Sequence, residues 1–361
     1  MIGSGVKGQV IIVFCLLYLD PGPMPLDPWF TMYKDKILKH LISSKNGFTS
    51  GAELARGLHI TRAAVWKHIK TLEREGYAVE AAPSKGYRLL AVPDILLLDD
   101  IKQGLKTGTI GREIHLFPEL VSTNALAMEM ASTGAADGTV VIAETQTGGK
   151  GRLGRTWISP KGNLYISVIL RPGIPPHKAP LITLMAAVAL TSTIRQHLAV
   201  QAGIKWPNDI LVSGKKAAGL LTEMRAEPDR VKHVVLGIGI NVNMDMAELP
   251  VPLRKLSTTL SAETGKKIDR TVFLQQFLVE LDSWYQLFLK GGAAVIEAWE
   301  MFNITVGNRV AVSGPGETFE GMARGIDTDG RLILKLDDGT SRQVAAGDVT
   351  ILKNREMKNA E

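Results

Sequence analysis

The segment Gly148-Gly149-Lys150-Gly151-Arg152-Leu153-Gly154-Arg155-Thr156-Trp157 decides what kind of domain occupies the centre of this chain. Gly149, Gly151 and Gly154 satisfy the G-x-G-x-x-G spacing of a dinucleotide-binding turn, and Thr139–Ala143 ahead of them reads as a strand. The continuation does not fit. Arg155-Thr156-Trp157-Ile158-Ser159-Pro160 leads into a second strand, Asn163–Leu170, with no helix to receive a pyrophosphate and no ribose-binding acid downstream. The glycines therefore serve another purpose. They let the backbone approach a ligand closely and turn N–H groups toward an anion, while Lys150, Arg152 and Arg155 place three cations within six positions. Such a loop suits a phosphate held beside a carboxylate, and Trp157 with the flanking strands anchors it in a core.

Two further segments carry chemistry. Lys205-Trp206-Pro207-Asn208-Asp209 turns into a hairpin in which Ser213-Gly214 is the reversal and Lys216 opens the returning strand beside Ala217, Ala218 and Gly219. A lysine next to such small residues has room to point at a ligand. Asp209 is a turn residue that can also hold a metal or orient a lysine. Val234–Asn243 reads as a strand interrupted by Gly237 and Gly239, the signature of close approach by a ligand or another backbone.

Upstream, the pattern from Lys34 is helical, with Ile37, Leu38, Leu41 and Ile42 on one stripe. Ser50-Gly51-Ala52-Glu53 is a capping box opening a short helix that Gly57 should end. Thr61 caps a third helix running to about Glu75, with Val65, Ile69 and Leu72 inward. Arg62, Lys67, His68, Lys70 and Arg74 take its other faces, against one acid, Glu73. Tyr77–Glu80 and Tyr87–Leu90 follow as strands around Pro83–Gly86. Two helices joined by a short turn, a basic second helix and a two-stranded wing make a winged helix-turn-helix, which binds DNA. Thr61, Arg62, Lys67, His68 and Lys70 are its candidate contacts.

The remaining pattern is scaffold. Pro180–Ala199 is a core helix, and Asp269 caps another that runs to Lys290 with Phe273, Phe277, Leu281, Trp284 and Phe288 inward. From Asn308 short strands take over: Arg309–Val312, Phe319–Ile326, Arg331–Leu336 and Arg342–Val344. Asp329-Gly330 and Asp338-Gly339 supply hairpin turns.

Bulk properties narrow the class. With 361 residues, 45% hydrophobic and 22% charged, the chain supports two to three folded domains. A net charge of +6 favours anionic partners, nucleic acid or phosphates. The single cysteine, Cys15, excludes an intramolecular disulfide and a cysteine-based zinc site and points to a reducing compartment, so a cytoplasmic protein is expected. Val10–Leu19 looks like a signal-peptide core, but Asp20-Pro21-Gly22-Pro23 follows instead of a small-residue cleavage site. It also falls short of the ~20 residues of a membrane-spanning helix. Residues 1–32 are expected to be an upstream extension, disordered or preceding a true start at Met24 or Met32, with no membrane partner.

Taken in this order, the winged helix, Ser122-Thr123-Asn124, the Gly149–Arg155 loop, Lys205–Asp209, Lys216 with Gly219, and Gly237–Asn241 resemble the biotin–protein ligases of the class that is also a biotin operon repressor. The resemblance runs from about Lys34 to Leu352. It departs at Lys150, where the family's loop carries an arginine; the charge survives but the bidentate geometry does not. The resemblance implies an α+β chain: a winged helix-turn-helix over 33–92, a central mixed α/β ligase domain of class II synthetase-like fold over 95–304, and a small SH3-like β-barrel over 305–353. It implies that biotin and ATP form biotinyl-5′-AMP, and that the biotinyl group passes to a lysine of the biotin carboxyl carrier domain of acetyl-CoA carboxylase. Operator DNA, a homodimer and Mg²⁺ are implied as well.

Carried over residue by residue, Ser122, Thr123 and Gln146 would bind the ureido end of biotin, Asn124 would belong to the same biotin site, and Lys150, Gly151 and Arg152 would cover biotin and the activated phosphate. Lys216 would meet the carboxylate–phosphate junction and, with Arg152 and Lys205, carry catalysis. Gly149, Gly154, Arg155, Trp157, Asn208, Gly237 and Asn241 would serve the nucleotide, and Asp209 the metal. Carboxylate attack on a phosphate needs positioning and charge neutralisation more than a protein nucleophile, which accounts for a site rich in Lys, Arg and Gly. Two alternatives stay open: a ligand-sensing repressor without ligase activity, and a ligase for another acyl cofactor such as lipoate.

Overall fold

A computed structural model describes residues 28–44, 47–313 and 318–352. The apolar run Val10–Leu19 and Cys15 lie outside the described residues. The chain divides into two compact units, one ending at Pro93 and one beginning at Asp94.

In the first unit, helices α1 (Pro28–Ser43), α2 (Gly51–Leu58) and α3 (Arg62–Arg74) precede a hairpin of β1 (Ala78–Ala82) and β2 (Gly86–Ala91). Helix α1 begins at Pro28, five positions before the expected boundary at 33, because proline suits the first helical turn, where its missing N–H costs nothing. Ser50 accepts from Ala52 N and Thr61 from Ala64 N, so both expected caps are in place. Gly57 does not end α2. The helix runs on to Leu58, and His59 closes it in the left-handed region at φ 54°. Ile37, Leu41, Leu54, Val65, Ile69 and Leu72 make the core; Ile42, assigned to the buried stripe, is 52% exposed. Thr49 forms an isolated antiparallel bridge to Tyr87 beside the two-stranded wing.

The second unit is built on a seven-stranded mixed sheet. In chain order its first elements are α4 (Leu98–Gly104), β3 (Ile114–Leu120), α5 (Thr123–Ser132), β4 (Val140–Gln146) and β5 (Leu164–Leu170). Then come α6 (Pro180–Leu198), β6 (Ala202–Lys205), β7 (Asp209–Val212), β8 (Lys215–Ala226) and β9 (Val231–Ile240). Helices α7 (Val251–Leu256), α8 (Leu260–Thr264), α9 (Arg270–Lys290) and α10 (Ala293–Phe302) complete it. The strand order is β3-β4-β5-β9-β8-β7-β6, with β3 and β4 parallel and the remaining neighbours antiparallel. Helices α6 and α9 pack together within the main core, whereas α5 covers the other face through Ala127 and Ala131 against Val141, Ile169 and Val235. The stretch Pro176–Leu198 is long and apolar enough to cross a membrane, but α6 is the central core helix of this unit.

Five strands follow: β10 (Arg309–Ser313), β11 (Thr318–Ile326), β12 (Leu332–Lys335), β13 (Ser341–Val344) and β14 (Asp348–Ile351), antiparallel in the order β13-β12-β11-β10-β14. This small SH3-like domain shares one hydrophobic core with the sheet domain. Trp206, 1% exposed, joins the two: its backbone N–H donates to Thr305 Oγ1 at 2.8 Å and its indole N–H to Gly330 O at 3.0 Å.

The entry to the second unit is clamped by a buried cation. Asp269 caps α9 as expected, and the next residue, Arg270, is 2% exposed. Its guanidinium donates to Asp94 Oδ1 at 2.5 Å, Glu144 Oε2 at 2.9 Å and Asn163 O at 2.7 Å. Every charge in that cluster has a partner, the condition on which a buried ion pair is tolerated.

Candidate ligand site and DNA-facing helix

One cavity of about 410 Å³ opens above β8 and β9, of a size that holds a small organic ligand. All the ligand residues expected from the sequence line it except Gly149 and Gly154. Its base is made by glycines. Gly219 and Gly239 pair directly across β8 and β9, and a Cβ on either would stand 2.8 or 2.5 Å from the Trp157 ring. A Cβ on Gly237 would stand 2.2 Å from Asn124 Oδ1. No side chain fits there, which is what two glycines inside one strand signalled.

The glycine loop is a twisted hairpin. Lys150 bridges to Thr156, Gly151 N–H donates to Arg155 O at 2.7 Å, and the tip turns through left-handed Leu153 (φ 55°) and Gly154 (φ 74°). The Gly151 amide is thereby used within the loop, so the loop's charge comes from its side chains. Gly149 brings the arms together, with Trp157 N–H donating to Gly149 O at 2.9 Å, and so sets the indole over the glycine base. Lys150 is exposed. Arg152 reaches inward and donates to Asn208 Oδ1 at 3.0 Å and Gly347 O at 3.3 Å; Arg155 pairs with Asp348. Burial pulls the Arg152 guanidinium below its ordinary value, against the raising effect of Asp348 and Asp209.

At one end of the cavity Ser122 caps α5 and is 3% exposed. Its Oγ accepts from Ala125 N, which spares the hydroxyl proton for a ligand. Gln146 Oε1 accepts from Thr123 N at 2.8 Å and from Thr123 Oγ1 at 3.1 Å, while its Nε2 donates to Ser159 Oγ at 3.0 Å. Ser167 lies 2.8 Å from Thr123 Oγ1 and 2.6 Å from Asn124 Oδ1, and Asn124 Nδ2 donates to Glu223 Oε2 at 2.8 Å. Gln146 and Asn124, expected to touch a ligand directly, line the cavity and also fix the positions of their neighbours. Ser159, Ser167 and Glu223 were not singled out from the sequence; only the sheet brings them beside the 122–124 turn.

At the other end, Lys216 Nζ lies 2.5 Å from Asp209 Oδ1 and 5.2 Å from the centre of the Trp157 ring, and Lys205 Nζ lies 3.3 Å from Asp209 Oδ2. A carboxylate with an ammonium on each oxygen orients lysines. Asp209 was expected to hold a metal; here both of its oxygens meet lysines, and among the described residues no group of three or more His, Cys, Asp or Glu could hold an ion. Asn208 and Asn241, expected to serve the nucleotide, line the cavity and also tie its walls together. Asn208 Nδ2 donates to Leu220 O at 2.7 Å, and Asn241 Nδ2 donates to Thr258 O at 3.2 Å.

In the first unit, α3 turns Arg62, Lys67 and Lys70 outward, and Thr61 serves as its cap. His68 is corrected: it is 3% exposed and faces the core, since it follows the inward arc of Val65, Ile69 and Leu72. Trp66, passed over in the sequence, is 55% exposed on the outward face.

Residues 116–241 match the biotin/lipoate A/B protein ligase family, residues 34–88 an HTH domain, and residues 305–352 the biotin protein ligase C-terminal domain. The chain is 42% identical over 318 residues to the bifunctional ligase/repressor BirA of Bacillus subtilis, covering 88% of this chain and 98% of that protein. It is 33% identical over 319 residues to the bifunctional ligase/repressor BirA of Escherichia coli, covering 87% and 96%. Among solved structures, the biotin protein ligase from Aquifex aeolicus in complex with biotin and ATP superposes with a TM-score of 0.57 at 26% identity, over 67% of this chain and all of that one.

Proposed function

The chain belongs to the bifunctional ligase/repressor family, and on that premise we propose that its cavity joins biotin to ATP while its winged helix represses the genes of biotin synthesis. It is an ATP-dependent biotin–protein ligase with a DNA-binding domain. The biotin carboxylate oxygen attacks the α-phosphorus, the α–β phosphoanhydride bond breaks, and pyrophosphate leaves with the electron pair. The neutral amine of a carrier lysine then attacks the acyl carbon, AMP leaves, and the amine proton passes to solvent. The carrier is the biotin carboxyl carrier domain of acetyl-CoA carboxylase. The protein works in the cytoplasm as a homodimer.

One observation carries the site assignment: Lys216 and Arg152, from distant segments, converge on a cavity whose base is glycine and whose far end is hydrogen-bonding. Carboxylate and phosphate repel, and two fixed cations offset that repulsion where charge develops. Ser122, with Thr123 held by Gln146, receives the ureido group, and the extended acyl chain runs along the Trp157 indole that rests on the glycine base. Lys205 and Arg155 face the phosphates. Arg62, Lys67 and Lys70 meet operator phosphates and bases.

The polar end wall separates biotin from lipoate. A site built to hydrogen-bond a substrate group rejects an analogue that lacks it. Incubation with labelled biotin, Mg-ATP and a carrier domain should add one biotin to the carrier lysine, read by mass spectrometry, and excess lipoate should not compete. ATP-independent labelling, or transfer of lipoate instead, would refute this reading.

A further inference from the structure

Trp66 stands 55% exposed in the middle of α3, while the unit's apolar core is complete without it. A tryptophan left in water on an otherwise polar face is costly, and its neighbours indicate what covers it. Helical spacing puts Arg62, Trp66 and Lys70 along one outward line, with Lys67 beside it. Between Thr61 and Arg74 the only acid, Glu73, is paired with Lys70 at 2.6 Å. A partner for this face is therefore polyanionic around its rim and apolar where the indole lands. Duplex DNA meets both conditions when the second helix of the motif enters the major groove, whose one apolar feature is the C5 methyl group of thymine.

We propose that Trp66 is a specificity-determining residue of the operator complex, its indole packing on a thymine methyl in the major groove while Arg62, Lys67 and Lys70 supply the surrounding phosphate and base contacts. The proposal rests on the repressor reading and adds to it a residue and the group that residue reads.

The test uses the full chain with biotin and Mg-ATP present, and duplexes selected from a randomised pool. The wild type should recover a consensus. Trp66→Ala should recover one that lacks a single A·T preference, and should bind the wild-type duplex about tenfold more weakly, as loss of one base contact does. Replacing that thymine by deoxyuridine should weaken the wild type to a similar degree and leave Trp66→Ala unaffected. Trp66→Phe, which keeps an apolar ring, should retain part of the preference. The dependence of log affinity on log salt should keep its slope, since no phosphate contact is lost. Adenylate formation at the wild-type rate reports an intact chain. An identical consensus and identical deoxyuridine sensitivity in Trp66→Ala would overturn the proposal. So would weakening on every duplex alike together with a lower oligomeric mass, which places Trp66 against a second copy. A wild type that recovers no consensus overturns the repressor reading and this proposal together.

Discussion

Asp209 presents one carboxylate oxygen to Lys216 at 2.5 Å and the other to Lys205 at 3.3 Å. The carboxylate lies at the strand-entry turn, and the two lysines approach it from β8 and from the end of β6. Lys216→Ala removes a cation from the position where phosphate charge develops, and should slow adenylate formation about 10²–10³-fold, the scale of losing one electrostatic stabiliser. Asp209→Asn keeps the shape and removes the orienting charge, so kcat should fall by a smaller factor. Its Mg²⁺ titration midpoint should stay at the wild-type value, because the carboxylate orients lysines. A shift of that midpoint to higher Mg²⁺ would return Asp209 to the metal.

Gly237→Ala and Gly239→Ala put a methyl group against Asn124 and the Trp157 ring, at 2.2 and 2.5 Å before relaxation. Overpacking of this kind costs about 1–3 kcal/mol. Because the Trp157 ring lines the cavity, Gly239→Ala should lose biotin affinity more than stability. Asn124 is held by Ser167 and Glu223, so Gly237→Ala should lose both. Calorimetric biotin titration and thermal melting separate the two.

Arg155 pairs with Asp348, and Arg152 donates to the carbonyl of Gly347, so the glycine hairpin is fastened to the turn before β14. Exposed ion pairs contribute about 0–1 kcal/mol, so Asp348→Ala should barely change the melting temperature. The hairpin should open more often, and trypsin should cut after Arg152 or Arg155 several-fold faster. Unchanged cleavage would mean that the pair does not restrain the loop.

Burial pulls the His68 imidazole below its ordinary 6.5, with Lys67 and Lys34 adding to the effect. The unfolded chain takes up a proton near that pH and the folded unit does not. Stability is therefore complete above pH 6.5 and declines as the pH is lowered from there toward the folded value. The urea midpoint of the N-terminal unit should drop between about pH 7.5 and about pH 5.5 in the wild type, and less in His68→Gln.

Local rules carried the reading of the sequence a long way. Ser50, Thr61 and Asp269 cap the helices they were expected to cap, and Asp329-Gly330 and Asp338-Gly339 turn the expected hairpins, because caps and turns depend on a few neighbouring atoms. Lys150, Gly151, Arg152, Lys216 and Gly237 were singled out for the same reason, and they line the cavity. Errors arose where the third dimension decides. His68 and Lys67 are adjacent in sequence, and only packing says which turns inward. Gln146, Asn208 and Asn241 line the cavity as expected, but their bonds to backbone and side chains of other segments could not be read from the sequence. Arg270 was not singled out in the sequence; only the fold places Asp94 and Glu144 around it.

The base formed by Gly219, Gly237 and Gly239 also limits how this chain could acquire a new substrate. It carries only hydrogen atoms, so no substitution there can enlarge the cavity. Room for a bulkier acyl group must be cut from what rests on that base, by shortening Asn124 or Trp157. Those two positions are where a library aimed at altered acyl specificity should begin.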